Sequence, residues 1–363
     1  MNKNGHLETY KLTVTTRAPL FIGSGKACAK TDYVLSPDNA KILRLDQRKL
    51  FALLANGGLA DKYETFILNR GTDMRSFLMQ TCGLTWPEVE KLALYSVHSR
   101  DALDERHSLK NILLFNRDAS DRPFIPGSSI KGALRTAYLY GKISSDGGKA
   151  AEPFGGKLTK WSTVNEAKYI NTLQYANDSK GKTRGDMVSS IFRGVMISDS
   201  LPIDQTCMML TDKIDIKPDG TQKKLNVCRE CVKPDTDVTF MLTLDRSVVG
   251  NAVTPVVLLD ALNRFAGYYI DTYFTKWKID IPFNDADHFM LLGGGAGFFS
   301  KTLAYPLYGS NAGKLVQDFM TDSFRKHKHE EDMGRWRISP HTMKYAAYNG
   351  RLYLMGLCEV NLE

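Results

Sequence analysis

Three glycine-rich stretches in this chain bring backbone N–H groups and cations close together. They are Gly23-Ser24-Gly25-Lys26; Gly127-Ser128-Ser129 with Lys131, Gly132 and Arg135; and Gly293-Gly294-Gly295-Ala296-Gly297 with Lys301. The chemistry open to such a pattern is anion binding. Without a Cβ, the backbone approaches a ligand closely and aims successive N–H groups at phosphate oxygens. A helix starting near Gly127 would add the partial positive charge of its N-terminus. The alternative there is a tight turn whose serine only caps the helix, with Lys131 and Arg135 on a solvated face. The residues alone leave both readings open.

Nucleotide-binding motifs fail on their own mechanics. A P-loop needs an upstream glycine, but Ala176 stands there for Gly181-Lys182-Thr183 and Leu20 for Gly25-Lys26, while Ser300 precedes Lys301-Thr302. Phe298 occupies the third glycine position of a dinucleotide fingerprint after Gly293 and Gly295. Cys228-Arg229-Glu230-Cys231 is a single CxxC, and Cys207, His327 and His329 do not complete a zinc set. No HExxH, GxSxG or deaminase signature occurs. Asp32 follows the first glycine stretch closely, yet a solvated strand-edge aspartate is the simpler reading. The sequence therefore predicts no catalytic residue, no metal and no cofactor.

The elements that must position these stretches follow from periodicity. Tyr10, Leu12 and Val14 alternate with Lys11, Thr13 and Thr15, a half-buried strand leading into the first stretch. Residues 33–35 and 42–45, around Ser36-Pro37-Asp38-Asn39, read as a hairpin. Helix-period segments such as 49–54 and 87–97 mark a helical insertion at about 47–122. Pro126-Gly127 opens a helix that Ser128 or Ser129 can cap and Gly141 can end. Ile130, Ala133, Leu134 and Ala137 share one face of it, and Lys131 and Arg135 another.

Residues 141–186, rich in Gly, Lys, Ser and Asn, read as a long loop of functional or disordered kind. A strand at 192–197 then ends in Ser198-Asp199-Ser200. In the second half, 237–245 alternates as a strand. Thr254-Pro255 starts a helix with the apolar stripe Leu258, Leu262, Phe265, Tyr269 and Tyr273. A short strand enters Leu291-Leu292-Gly293, and 351–360 is the last strand. The expected fold is α+β, with two ferredoxin-like domains: 1–205, carrying the insertion, and 206–363.

Composition bounds the partners. Hydrophobic residues make up 43%, enough for a buried core in a globular protein. No apolar segment follows the N-terminal charges, and no apolar run reaches membrane-spanning length, so neither a secretory signal nor a membrane span is expected. Six sparse cysteines fit reduced thiols in a cytoplasm. The net charge is +8, and its surplus is concentrated: 131–193 holds eleven Lys/Arg against five Asp/Glu, and 301–351 nine against five. Such a surplus attracts a polyanion by releasing its counterions.

FIGSG at 21–25, IPGSSIKGALRT at 125–136, ISDS at 197–200 and LGGGAGFFSKTL at 292–303 occur in this order. Together, across the whole length, they resemble the RAMP superfamily of CRISPR RNA-binding proteins, and within it the terminal, fifth-subunit family of type III-A Csm complexes. The resemblance implies two RRM-like, RAMP-type domains. It implies RNA contact for Gly23, Ser24, Gly25, Lys26, Ser128, Ser129, Lys131, Gly132, Arg135, Gly293, Gly294, Gly295, Gly297 and Lys301. It also implies a non-catalytic subunit that caps the guide RNA at its 3′ end and supports guide maturation. The implied partners are guide (CRISPR) RNA, target RNA, the repeated backbone RAMP subunit, the small helical subunit and host 3′-exonucleases. The backbone subunit cuts target RNA with an aspartate placed much like Asp32, whereas the terminal subunit is not regarded as a cutter. Two other readings stay open: a RAMP endoribonuclease that processes guide precursor or cuts target, and a RAMP subunit holding the guide 5′ tag.

Overall fold

The computed structural model describes residues 5–99, 102, 110–145, 158, 170, 187–279 and 288–363. Most of the 141–186 loop, from 146 onward, lies outside the described residues. The strands are β1 (Leu7–Thr16), β2 (Gly23–Cys28), β3 (Tyr33–Leu35), β4 (Lys41–Leu45), β5 (Ala93–His98), β6 (Ile112–Phe115) and β7 (Val195–Ile197), followed by β8 (Met208–Ile216), β9 (Gln222–Val232), β10 (Asp237–Asp245), β11 (Phe289–Leu291), β12 (Met343–Tyr348), β13 (Arg351–Leu354) and β14 (Leu357–Leu362). They form two sheets, and the class is α+β as expected.

The first sheet has the order β11-β14-β1-β10-β7, with every neighbouring pair antiparallel. Helices Gly127–Ser145 and Pro255–Tyr269 lie between its strands in the chain. Without β14, the spatial order is that of a β-α-β-β-α-β ferredoxin-like unit, and β14 is inserted between the fourth strand and the first. Alternation explains its burial. Leu12 and Val14 of β1 and Phe240 and Leu242 of β10 point into one core with Ile130, Leu134, Leu258 and Leu262 of the two helices. Thr254 caps the second helix as predicted, its hydroxyl accepting from Val257 N at 3.2 Å.

The second sheet runs β2-β6-β9-β8-β5-β4-β3, with β12 pairing to β8 and β13 to β12. The predicted hairpin is β3–β4, paired Tyr33 to Arg44. Strands from both sides of residue 205 share each sheet, so the proposed division into 1–205 and 206–363 describes sequence halves whose strands interleave.

Within the predicted insertion, helices Gln47–Asn56, Ala60–Leu68 and Trp86–Lys91 enclose a separate small core of Leu50, Leu54, Phe77, Leu78 and Val89. Three local expectations change. The helix read through 87–97 stops at Lys91, because the following residues pair as β5 with β4. Gly141 does not end the first core helix, which continues to Ser145; a Cβ at Gly141 would lie 3.8 Å from that of Ala261, in the helix–helix contact. The last strand is two, because Gly356 turns the chain at φ +83, where a Cβ would sit 2.2 Å from Leu292 O.

Phe240 is 1% exposed and pairs with Leu12 at the centre of the first sheet. Replacing it with Ala is expected to cost about 3–5 kcal/mol, read as a lower urea midpoint with an unchanged m-value.

Candidate nucleic-acid interface

The first glycine stretch is held at both ends by strand pairing. Leu20 and Val232 exchange backbone hydrogen bonds of 3.0 and 2.9 Å, and β2 then pairs with β6 at Gly23–Phe115 and again at Ala27–Leu113. Between these points the pairing is irregular, and the segment from Ser24 to Lys26 bulges out. Gly25 holds φ +78 with no atom near a notional Cβ, so its glycine serves backbone conformation. The Ser24 hydroxyl donates to Leu114 O at 3.2 Å and fixes the bulge. Gly23, Gly25 and Lys26 are exposed.

The third stretch docks directly on the first. Gly294 N donates to Phe21 O at 2.8 Å. A Cβ on Gly293 would lie 2.2 Å from the same oxygen, and one on Gly295 would lie 2.4 Å from Met355 Cγ. Close approach is thus required here, but the partner of Gly293 and Gly295 is the protein itself. Gly295 is buried, Gly293 and Gly297 are half-buried, and Gly294 and Lys301 are exposed.

The Gly127 helix is capped differently from either serine expectation. Asp199 of the ISDS motif caps it, its Oδ1 accepting from Gly127 N at 2.9 Å. Ser200 Oγ accepts from Ile125 N, and Ser200 N donates to Ile125 O, both at 3.0 Å. A Cβ on Gly127 would come within 2.3 Å of Ile197 O and 2.4 Å of Ser198 O. With the cap supplied from elsewhere, Ser128 and Gly132 are left exposed and Ser129 half-exposed. Lys131 and Arg135 are half-buried; burial, then the neighbouring positive charge of Arg135, hold Lys131 below the ordinary lysine range.

One further link joins all four motifs. Asn116 N donates to Ile22 O at 2.8 Å, and Phe124 N donates to Asn116 O at 3.2 Å. A continuous path therefore runs from Gly294 through Phe21-Ile22, Asn116 and Phe124-Ile125 to Ser200 and, beside it, the Asp199 cap. The strand directions agree with it: β1, β7 and β11 all run toward the same end of the first sheet.

The other candidates have partners within the protein. The Asp32 carboxylate accepts from Ala29 N at 2.8 Å and from the Gln47 side chain at 3.4 Å, closing a turn. Cys228 and Cys231 lie three apart on β9 and face opposite sides of the sheet. Cys228 approaches Asp212 Oδ1 at 3.3 Å, while Cys231 packs with Phe21, Met209 and Met355. Two thiols so placed cannot share one ion. Among the described residues, His329, Asp332 and His341 gather metal-ligating atoms within 4.8 Å. Here the buried Asp332 accepts from His329 Nδ1, His341 Nδ1 and Ser339 Oγ at 2.9, 2.5 and 2.6 Å. Burial pushes its carboxyl up, and these bonds outweigh burial to hold it below the usual carboxylate range.

Sequence reasoning missed Arg229. Its guanidinium lies 4.9 Å from the Phe21 ring centre and 3.5 Å from Gly294 O, between the first and third glycine stretches. Its position inside the CxxC was the only local signal, and that pointed to the cysteines.

An α+β protein whose ferredoxin-like sheet carries glycine motifs fused at one end is the class these features define. The chain belongs to the RAMP superfamily, whose family model matches residues 13–300. It is 24% identical over 392 residues to the Mycobacterium tuberculosis protein named CRISPR system Cms protein Csm5, covering 99% of each chain. Its fold is similar to a chain of the cryo-EM Csm–crRNA–target RNA ternary complex of a type III-A CRISPR-Cas system, with TM-score 0.69, 18% identity, and 98% and 100% of the two chains covered. The crystal structure of T. onnurineus Csm5 is also similar, with TM-score 0.60, 18% identity, and 96% and 99% covered.

Gly127→Ala is expected to lower stability by roughly 1–3 kcal/mol through overpacking, measured by urea unfolding. Ser128→Ala should leave stability within about 0.5 kcal/mol, because its side chain is exposed and the cap is Asp199.

Proposed function

We propose that the chain is a non-catalytic, CRISPR RNA-binding subunit of a type III-A Csm interference complex, acting in the cytoplasm in antiviral defence. It caps the guide RNA at its 3′ end and supports guide maturation. The observation that carries this reading is the fusion of the four motifs by one hydrogen-bonded path, with Gly23, Gly25, Lys26, Ser128, Gly132, Gly294 and Lys301 left exposed around it. Main-chain N–H groups and flanking cations suit a ribose-phosphate strand and are indifferent to base identity. The Csm5 name of the curated relatives and the likeness to a chain of an RNA-bound Csm complex support the same reading. Its partners are guide RNA, target RNA and the other Csm subunits, above all the repeated backbone RAMP subunit and the small helical subunit, with host 3′-exonucleases trimming the guide.

In this reading Ser24, Ser129, Lys131, Arg135, Gly293, Gly295 and Gly297 shape or charge the surface from partly or wholly buried positions. Non-catalysis is supported by Asp32, whose two oxygens already accept hydrogen bonds, one from Ala29 N within its turn and one from the Gln47 side chain.

Lys131→Ala with Arg135→Ala is expected to weaken guide RNA binding equally across sequences. It should also lower the slope of log affinity against log salt by roughly 1.4, about 0.7 for each lost phosphate contact to a single strand. Unchanged RNA binding together with unchanged complex assembly would sink the assignment. In assembled complexes, Asp32→Ala is expected to leave the target cleavage pattern intact; loss of the single cut nearest the guide 3′ end would make the chain a nuclease.

A further inference from the structure

The outer face of the second sheet carries cations that belong to none of the four motifs. Arg229 on β9 pairs in register with Thr211 on β8. Further along β8 come Lys213 and Asp215, and Asp215 has Lys223 opposite it on β9 and Lys344 opposite it on β12. Directly paired residues on neighbouring strands share a face and sit about 5 Å apart. Lys344 Nζ lies 2.9 Å from Asp215 Oδ1 and Lys213 Nζ lies 3.4 Å from it. Arg229 starts the row beside Phe21 and Gly294 O, so the row begins where the glycine motifs meet.

Three of these cations, Arg229, Lys213 and Lys344, are partly buried, while Lys223 is exposed. The side chains of Lys213 and Lys344 are only 16% and 22% exposed. Among the described residues, Asp215 is the one carboxylate that acts on both Lys213 and Arg229. Burial, then the charge of Lys344, push Lys213 down to about 8, against a partial rescue by Asp215 and a further push from Arg229. Arg229 Nε is buried without a hydrogen-bond partner among the described residues. His327 lies within reach of the same field, lowered by burial first, then by His329, Lys344 and Lys223, against Asp215. The inner face of the same strands shows the contrast, since Lys110 and Lys224 there both pair with the buried Asp212. Half-buried like charges are strained by mutual repulsion, and a polyanion relieves that strain.

We infer that Arg229, Lys213, Lys344 and Lys223 form a second phosphate-binding track, which carries single-stranded RNA from the glycine motifs across the outer face of the second sheet. This rests on the RNA-binding reading above and adds a path for the strand beyond the motifs.

The test uses the full chain and a mixed-sequence single-stranded RNA oligonucleotide over a salt series. Lys213→Gln with Lys344→Gln is expected to weaken binding and lower the salt slope by roughly 1.4. Lys213→Arg with Lys344→Arg should keep most of both. If the Gln pair matches the parent in affinity and slope while Lys131→Ala with Arg135→Ala weakens binding, the track is wrong and the motif assignment stands. If neither pair changes binding, the RNA-binding reading itself fails. Should the Gln pair melt well below the parent, photocrosslinking of thiouridine-substituted RNA to the unmodified protein decides. Crosslinks to β8 and β12 peptides support the track, and crosslinks confined to the glycine motifs overturn it.

Discussion

Everything at the candidate interface depends on main chain lying against main chain. Gly294 donates to Phe21, Ile22 accepts from Asn116, Asn116 accepts from Phe124, and Ile125 exchanges bonds with Ser200. Each link satisfies a backbone group that would otherwise be buried unpaired. Glycines permit the close approaches, Gly293 over Phe21 O, Gly356 over Leu292 O and Gly127 over the carbonyls of Ile197 and Ser198. The exposed glycines and cations then sit on a rigid base, because their neighbours are fixed from behind.

Charge is organised in two ways on opposite faces of the second sheet. Inside, Asp212 meets Lys110 and Lys224, and Glu230 meets Arg117, which also stacks 3.7 Å from the Tyr95 ring centre. Glu230 further accepts from Phe115 N at 3.0 Å, tying β6 to β9 just beneath the strand that bears FIGSG. Charges buried in pairs with their hydrogen bonds satisfied fix register, because leaving one member alone in the interior is costly. Outside, along the row from Arg229 to Lys344, cations outnumber carboxylates and border the glycine motifs. Inner pairing builds the platform, and outer imbalance is what an RNA backbone would neutralise.

Much of the fold was legible locally. Alternation located β1 and β10, turn residues located the β3–β4 hairpin, and Thr254-Pro255 located the second core helix, since each signal is a short-range pattern. Errors arose where a distant partner overrode a local preference. Residues after Lys91 looked helical but found β4 as a strand neighbour, and Gly141 looked like a helix stop but lies in a helix–helix contact. Ser128 and Ser129 looked like caps, yet a carboxylate 72 residues beyond Gly127 does the capping.

By itself the sequence determined the α+β class, the order of the four motifs and their kinship with RAMP proteins, because strand periodicity and glycine spacing are written in neighbouring residues. Only the tertiary structure decided that the four motifs form one hydrogen-bonded unit, and that Gly127, Gly293 and Gly295 lie against the protein's own atoms. It alone placed Arg229 between two loops and set Lys213 beside Lys344, residues 131 positions apart in the chain. The reason is physical: sheet pairing fixes such proximity, and pairing partners are chosen by burial and backbone satisfaction across the whole molecule.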